Sequence, residues 1–184
     1  MNTKNLNIIL DNHKKFITGE SGGARANLSR ANLSMADLCG ADLGGADLSR
    51  AYLHLAYLGG ANLSRANLSR ADLSRAYLSR ADLRGADLSR ADLSRADLSG
   101  AYLSGADLGG AKGILSIGPI GSRGDMLYII VHEKTLMIKT GCFWGALAEF
   151  ESAIKRTHGD NQYAQAYRAA LALARVALEP QASE

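Results

Sequence analysis

The sequence predicts an all-β solenoid, framed by a short N-terminal helix and a small C-terminal α+β module. Three observations predict it. Between Ala26 and Gly110 leucine recurs at every fifth position, Leu28 to Leu108, in 17 copies of A-(D/N/Y)-L-x-x. That period matches neither the 3.6-residue turn of a helix nor the two-residue alternation of a strand. It is absent from both flanks, where helical and strand-like patterns return. An internal period of this kind sets the architecture before any local propensity does. A helix would scatter the leucines around its axis. A flat strand would flip them to the opposite face at each copy, because five is odd. A chain that turns a corner every five residues keeps Ala and Leu of each copy inside and the other three positions outside.

Taken in order, residues 1–25 read as a capping helix and loop. Leu6, Ile9, Leu10 and His13 share one helical face between Thr3 and Phe16, and Gly19, Gly22 and Gly23 end it. Such a cap is needed because the end coil of a solenoid exposes unpaired backbone and apolar side chains. Residues 26–112 are the solenoid. Residues 113–184 read as the α+β module. Met126 to His132 and Thr135 to Thr140 form a hairpin around Glu133–Lys134, and Gly113 to Ile117 is a candidate third strand. Ala146 to His158 and Gln162 to Leu178 carry apolar residues at helical spacing, separated by the turn Gly159–Asp160–Asn161.

Composition narrows the function. Lys plus Arg is 21 and Asp plus Glu is 18, a formal charge of +3. That excess is too small to announce a nucleic-acid binder. Hydrophobic residues are 47% and aromatics 6%, so a core of Ala and Leu needs regular packing. Two cysteines, Cys39 and Cys142, give no disulfide framework and fit a reducing compartment. No apolar stretch reaches the roughly 18 residues of a membrane helix. A cytoplasmic setting is expected, and no membrane. His13, His54, His132 and His158 lack ligand spacing, so no metal is expected. There is no phosphate loop, so no cofactor is expected. Arg123-Gly124-Asp125 reads as a turn.

The A-D-L-S-R and A-N-L-S-R units resemble the pentapeptide-repeat family. The resemblance implies a right-handed quadrilateral β-helix with four repeats per coil. Seventeen repeats then make about four coils, a shaft of roughly 20 Å at about 4.8 Å between hydrogen-bonded strands. The flanking stretches NHKKF…GARANLS and GCFWG…KRTHGDNQYAQAYRAA resemble those of phage and prophage members.

With twenty residues per coil, Arg30, Arg50, Arg70 and Arg90 stack as an arginine ladder on one edge, closed by Gly110. Asp72 and Asp92, two positions beyond Arg70 and Arg90, are placed to offset them. Residues 26–110 hold nine Arg and nine Asp, so the shaft is neutral. The last position of each repeat is Arg or Gly except at Met35 and Leu55, which fall in one column. Tyr52 and Tyr57 flank Leu55, and Tyr77 lies one coil beyond Tyr57. Met35, Tyr52, Leu55, Tyr57 and Tyr77 are therefore expected to form an exposed apolar patch, a frequent mark of an interface.

Gly141-Cys142-Phe143-Trp144-Gly145 resembles the active-site motif of peptide methionine sulfoxide reductase A. That resemblance implies a Cys142 thiolate attacking a sulfoxide, with Phe143 and Trp144 around the methyl group. The downstream acidic and tyrosine partners of that family cannot be placed in this sequence, and no later cysteine exists to resolve an intermediate. Cys142 is expected to be structural and is the sole catalytic candidate. The chain is thus expected to be a non-enzymatic interaction scaffold with a protein partner, a second copy of itself being the alternative. Direct nucleic-acid binding is not expected. The rival readings are a DNA-mimic inhibitor or protector of gyrase or a host defence enzyme, sulfoxide reduction at Cys142, and a structural spacer in a phage particle. Gyrase-protecting pentapeptide-repeat proteins imitate DNA with an acidic rod, and this rod is neutral.

Overall fold

The computed structural model describes residues 3–132, 135–141 and 143–178. The chain divides into two compact units, Met1–Lys112 and Gly113–Glu184.

The first unit opens with helix α1, Thr3–Thr18. Its inward face buries Leu6 and the whole of His13. His13 Nδ1 accepts a hydrogen bond from the Ala26 amide at 3.1 Å, tying the helix to the start of the first coil. The chain then turns back against the helix, and the Ala24 amide donates to the Asn12 carbonyl at 3.0 Å. A Cβ on Gly23 would stand 2.3 Å from the Phe16 nitrogen, so only glycine allows this approach.

The repeats follow as a parallel coil in which the second residue of each repeat pairs with the one twenty positions on, from Asn27↔Asp47 to Asp92↔Lys112. The backbone amides of a repeat are accounted for position by position. In the first, Leu28 donates to the Asp47 carbonyl at 2.7 Å and Arg30 to the Ser49 carbonyl at 2.9 Å, both one coil on. Asp47 donates back to Ala26 at 3.0 Å, and Ala31 closes a turn on Leu28 at 3.0 Å. The remaining amide, Ser29, donates to the Asn27 side chain at 3.1 Å. Five residues therefore satisfy themselves and two neighbouring coils, as a buried backbone requires. Leu43 to Leu93 are fully buried at every repeat.

The second unit is an antiparallel meander in the order β1-β2-β3-β4, with β1 Ile114–Ile120, β2 Asp125–His132, β3 Thr135–Thr140 and β4 Phe143–Ala146. Ile114 pairs with Ile130, Ile129 with Ile138 and Thr140 with Phe143. Pro119 lies on the edge strand, where its missing N–H breaks no ladder. Helices α2, Leu147–His158, and α3, Gln162–Leu178, cover one face. Glu149 accepts from the Ala146 amide at 2.8 Å, and Asn161 caps α3 through the amides of Tyr163 and Ala164. The core joins Leu127, Ile129 and Ile138 of the sheet to Phe150, Ile154, Tyr167 and Leu171 of the helices.

The hairpin and both helices lie where the sequence pattern puts them; Glu133 and Lys134 at its turn are outside the described residues. One expectation is corrected: the edge strand runs on to Ile120 rather than ending at Ile117. Phe143–Ala146 adds a fourth strand, because its backbone pairs with Met137 to Thr140.

Candidate functional site

Within each repeat, two outward slots obey a local rule. The slot before leucine is Asn or Asp in most repeats, and its side-chain oxygen accepts the amide two residues on, from Asn27 to Asp107. This is the Asx turn, which a short carboxamide or carboxylate makes unaided. The last slot of every repeat has positive φ, about the third position of a type II turn. Glycine takes that conformation without a Cβ penalty, whereas another residue pays about 1–2 kcal/mol.

Met35 and Leu55 occupy that last slot at φ 59° and 57°. Tyr52, Tyr57 and Tyr77 replace the Asx residue and forfeit its bond to the following amide. Met35 is 67% exposed, Tyr52 56%, Tyr57 46% and Tyr77 43%. Leu55 departs from the expected exposure and is half-buried. The Tyr57 and Tyr77 rings stack in parallel, centroids 4.9 Å apart at 5°, the spacing of the coils beneath them. Sequence reading overlooked Tyr102, also in the Asx slot and 58% exposed, one column away from these residues. The same A-Y-L spelling marks it.

Arg30, Arg50, Arg70 and Arg90 are exposed, at φ 57° or 58°. They line a shallow groove with Ser49 and Ser89. No ion pair joins Asp72 to Arg70 or Asp92 to Arg90 among the described residues, contrary to the expected offset. Asp72 and Asp92 instead accept the amides of Ser74 and Ser94 at 3.0 and 2.9 Å. The shaft arginine that does pair is Arg84, whose guanidinium bonds Asp82 at 2.8 and 2.5 Å and holds that carboxyl below its ordinary pKa.

Cys142, the catalytic candidate, lies outside the described residues. Cys39 is exposed and free. Among the described residues there is no cluster of metal-ligating side chains, and no helix is long and apolar enough to cross a membrane.

The repeat geometry agrees with a sequence comparison. The family described as pentapeptide repeats (8 copies) matches residues 24–45, 46–85 and 76–112. Through this segment the chain belongs to the pentapeptide-repeat family. Membership implies the right-handed quadrilateral β-helix. Solved pentapeptide-repeat structures resemble the same region. HetL, involved in heterocyst differentiation regulation in the cyanobacterium Nostoc sp. strain PCC 7120, is 45% identical over 48% of this chain and 47% of its own, with a TM-score of 0.40. A protein of the Arabidopsis thaliana thylakoid lumen is 32% identical over 46% and 59%, with a TM-score of 0.45. QnrB1, a plasmid-mediated fluoroquinolone resistance protein, is 26% identical over 48% of each chain, with a TM-score of 0.24. This pentapeptide-repeat chain thus spans about half the length of the solved proteins it matches. No curated protein matches it.

Proposed function

We propose that this pentapeptide-repeat protein is a non-enzymatic scaffold that presents Met35, Tyr52, Leu55, Tyr57 and Tyr77 to a protein partner. One observation carries the proposal: each of these residues breaks a rule the coil otherwise keeps. Met35 and Leu55 put apolar side chains in a slot that is otherwise Arg or Gly. The three tyrosines give up a backbone hydrogen bond worth about 0.5–1.5 kcal/mol. Outward slots make no demand for apolar side chains, so the two apolar last slots and three of the four Asx-slot tyrosines, which fall on one corner, point to a use outside the fold. The arginine ladder supplies a second, polar contact line on the same shaft. Phage or prophage origin and the cytoplasm of a host cell complete the proposed setting, after the resemblance of the flanks.

The test places a photo-crosslinking amino acid at position 52 of the full chain, in wild type and in Met35→Arg and Leu55→Arg. Both variants restore a residue type common in that slot and leave the core untouched. The expected result is a crosslinked protein, or a crosslinked second copy seen also by analytical ultracentrifugation, that both variants diminish at unchanged melting temperature. A partner captured equally well by both variants would move the interface off this corner.

A further inference from the structure

The first coil has no coil before it, yet Leu28, Leu33 and Leu38 are only 1%, 3% and 2% exposed, because α1 lies across them. One side chain of the helix makes the polar tie to the coil. His13 is 0% exposed, and its Nδ1 accepts the Ala26 amide at 3.1 Å. That bond fixes the neutral tautomer, with the lone pair on Nδ1 and the proton on Nε2. Nε2 is itself buried and has no hydrogen-bond partner among the described residues. A second proton has to go to Nδ1, where it would meet the Ala26 N–H, donor against donor. No carboxylate stands within ion-pairing distance of the ring among the described residues. The charged groups that act on it are Asp42, which favours a cation there, and Arg25, which opposes one. Phe16 of the same helix stacks on the ring at 6.0 Å between centroids. The Ala24–Asn12 bond joins the helix to its own loop, so it travels with the helix.

We propose that α1 is an acid-released cap: a second proton on His13 undocks the helix and bares the end of the first coil. A buried cation with a donor against it is costlier than a hydrated one, so the charged ring belongs in water. An element at the end of a stack opens more easily than the interior, where each coil is supported on both sides. The helix therefore leaves while the coils stay paired. Its departure bares Leu28, Leu33 and Leu38 together with a strand edge. On that edge the carbonyls of Ser34, Asp37 and Cys39 accept no backbone amide among the described residues, whereas those of His54, Tyr57 and Gly59, one coil on, each accept one. An open strand edge beside apolar side chains is a template for pairing with another chain. The docked helix withholds that template, and acid gives access to it. Burial lowers the His13 pKa below 6.5, so release falls on the acid side of that value. The device is independent of the corner formed by Met35, Leu55 and the tyrosines.

The experiment follows the full 184-residue chain by heteronuclear NMR as it is acidified from neutral pH. The amides of α1 are expected to change in step with the His13 imidazole, while those of Leu48 to Leu93 keep their positions. His13→Gln offers the Ala26 amide a neutral acceptor and should hold the helix docked through the same range. Asp42→Asn keeps an acceptor for the Gly44 amide, which Asp42 binds at 3.1 Å, and removes the charge that favours a cation. It should move the transition to lower pH, and Arg25→Gln should move it to higher pH. The proposal is overturned if α1 stays docked while His13 titrates, if α1 and the coils are lost in a single transition, or if His13→Gln releases the helix at the wild-type pH. Should His13→Gln prove undocked already at neutral pH, the two charge variants decide, and midpoints that do not move in opposite directions overturn it.

Discussion

At Asn67 one carboxamide oxygen accepts both the amide and the hydroxyl of Ser69, at 3.0 and 2.7 Å. Asn67→Ala leaves that amide without its acceptor and is expected to lower stability by about 1 kcal/mol, read from chemical denaturation. Asn67→Asp keeps an acceptor and should cost less. The last slot works through strain instead. Arg75 sits at φ 57°, and Gly in its place would remove a penalty of about 1–2 kcal/mol while adding about 0.5–1 kcal/mol of chain entropy to be lost on folding. Arg75→Gly should therefore melt no lower than wild type. A clear drop would mean that the Arg75 side chain stabilises the shaft itself.

Helix α1 depends on a buried neutral imidazole. Burial lowers the His13 pKa below its ordinary 6.5, with Asp42 opposing and Arg25 adding to the fall. The unfolded chain therefore takes up its proton at higher pH than the folded one. Stability from this group is complete above pH 6.5 and declines as the pH falls from there through the lowered folded value. A denaturation midpoint that drops on acidification over this range is expected, and His13→Gln, which cannot take up the proton, should flatten the drop. An unchanged pH profile in His13→Gln would place the acid sensitivity elsewhere.

Across the whole molecule, stability of the repeat unit is a sum over coils, each supported by the next. Leu73 lies mid-shaft and fully buried, among identical leucines with little freedom to close a void. Leu73→Ala should cost roughly 2–5 kcal/mol. Leu73→Asp would bury an unpaired carboxylate and should cost more. A Leu73→Asp chain with the wild-type melting temperature would refute the inward position of this side chain. The corner of Met35, Leu55 and the tyrosines belongs to this scale too, since residues twenty apart come together only through the coil.

The five-residue period by itself determined the inward Ala and Leu, because a solenoid meets its own pattern one coil later and its register needs no distant partner. The hairpin and two helices were legible for the related reason that their apolar spacing is local. Tertiary structure alone decided the rest. The short strand Phe143–Ala146 exists because Met137 to Thr140 lie alongside it, and four residues carry no period of their own. His13 is buried because a coil begins against its helix. The positive φ of Arg30, Met35 and Leu55 is forced by the corner, although their side chains would avoid it in isolation. Phe150 of one helix and Tyr167 of the next meet edge to face at 5.3 Å, and no spacing along a chain announces such a meeting.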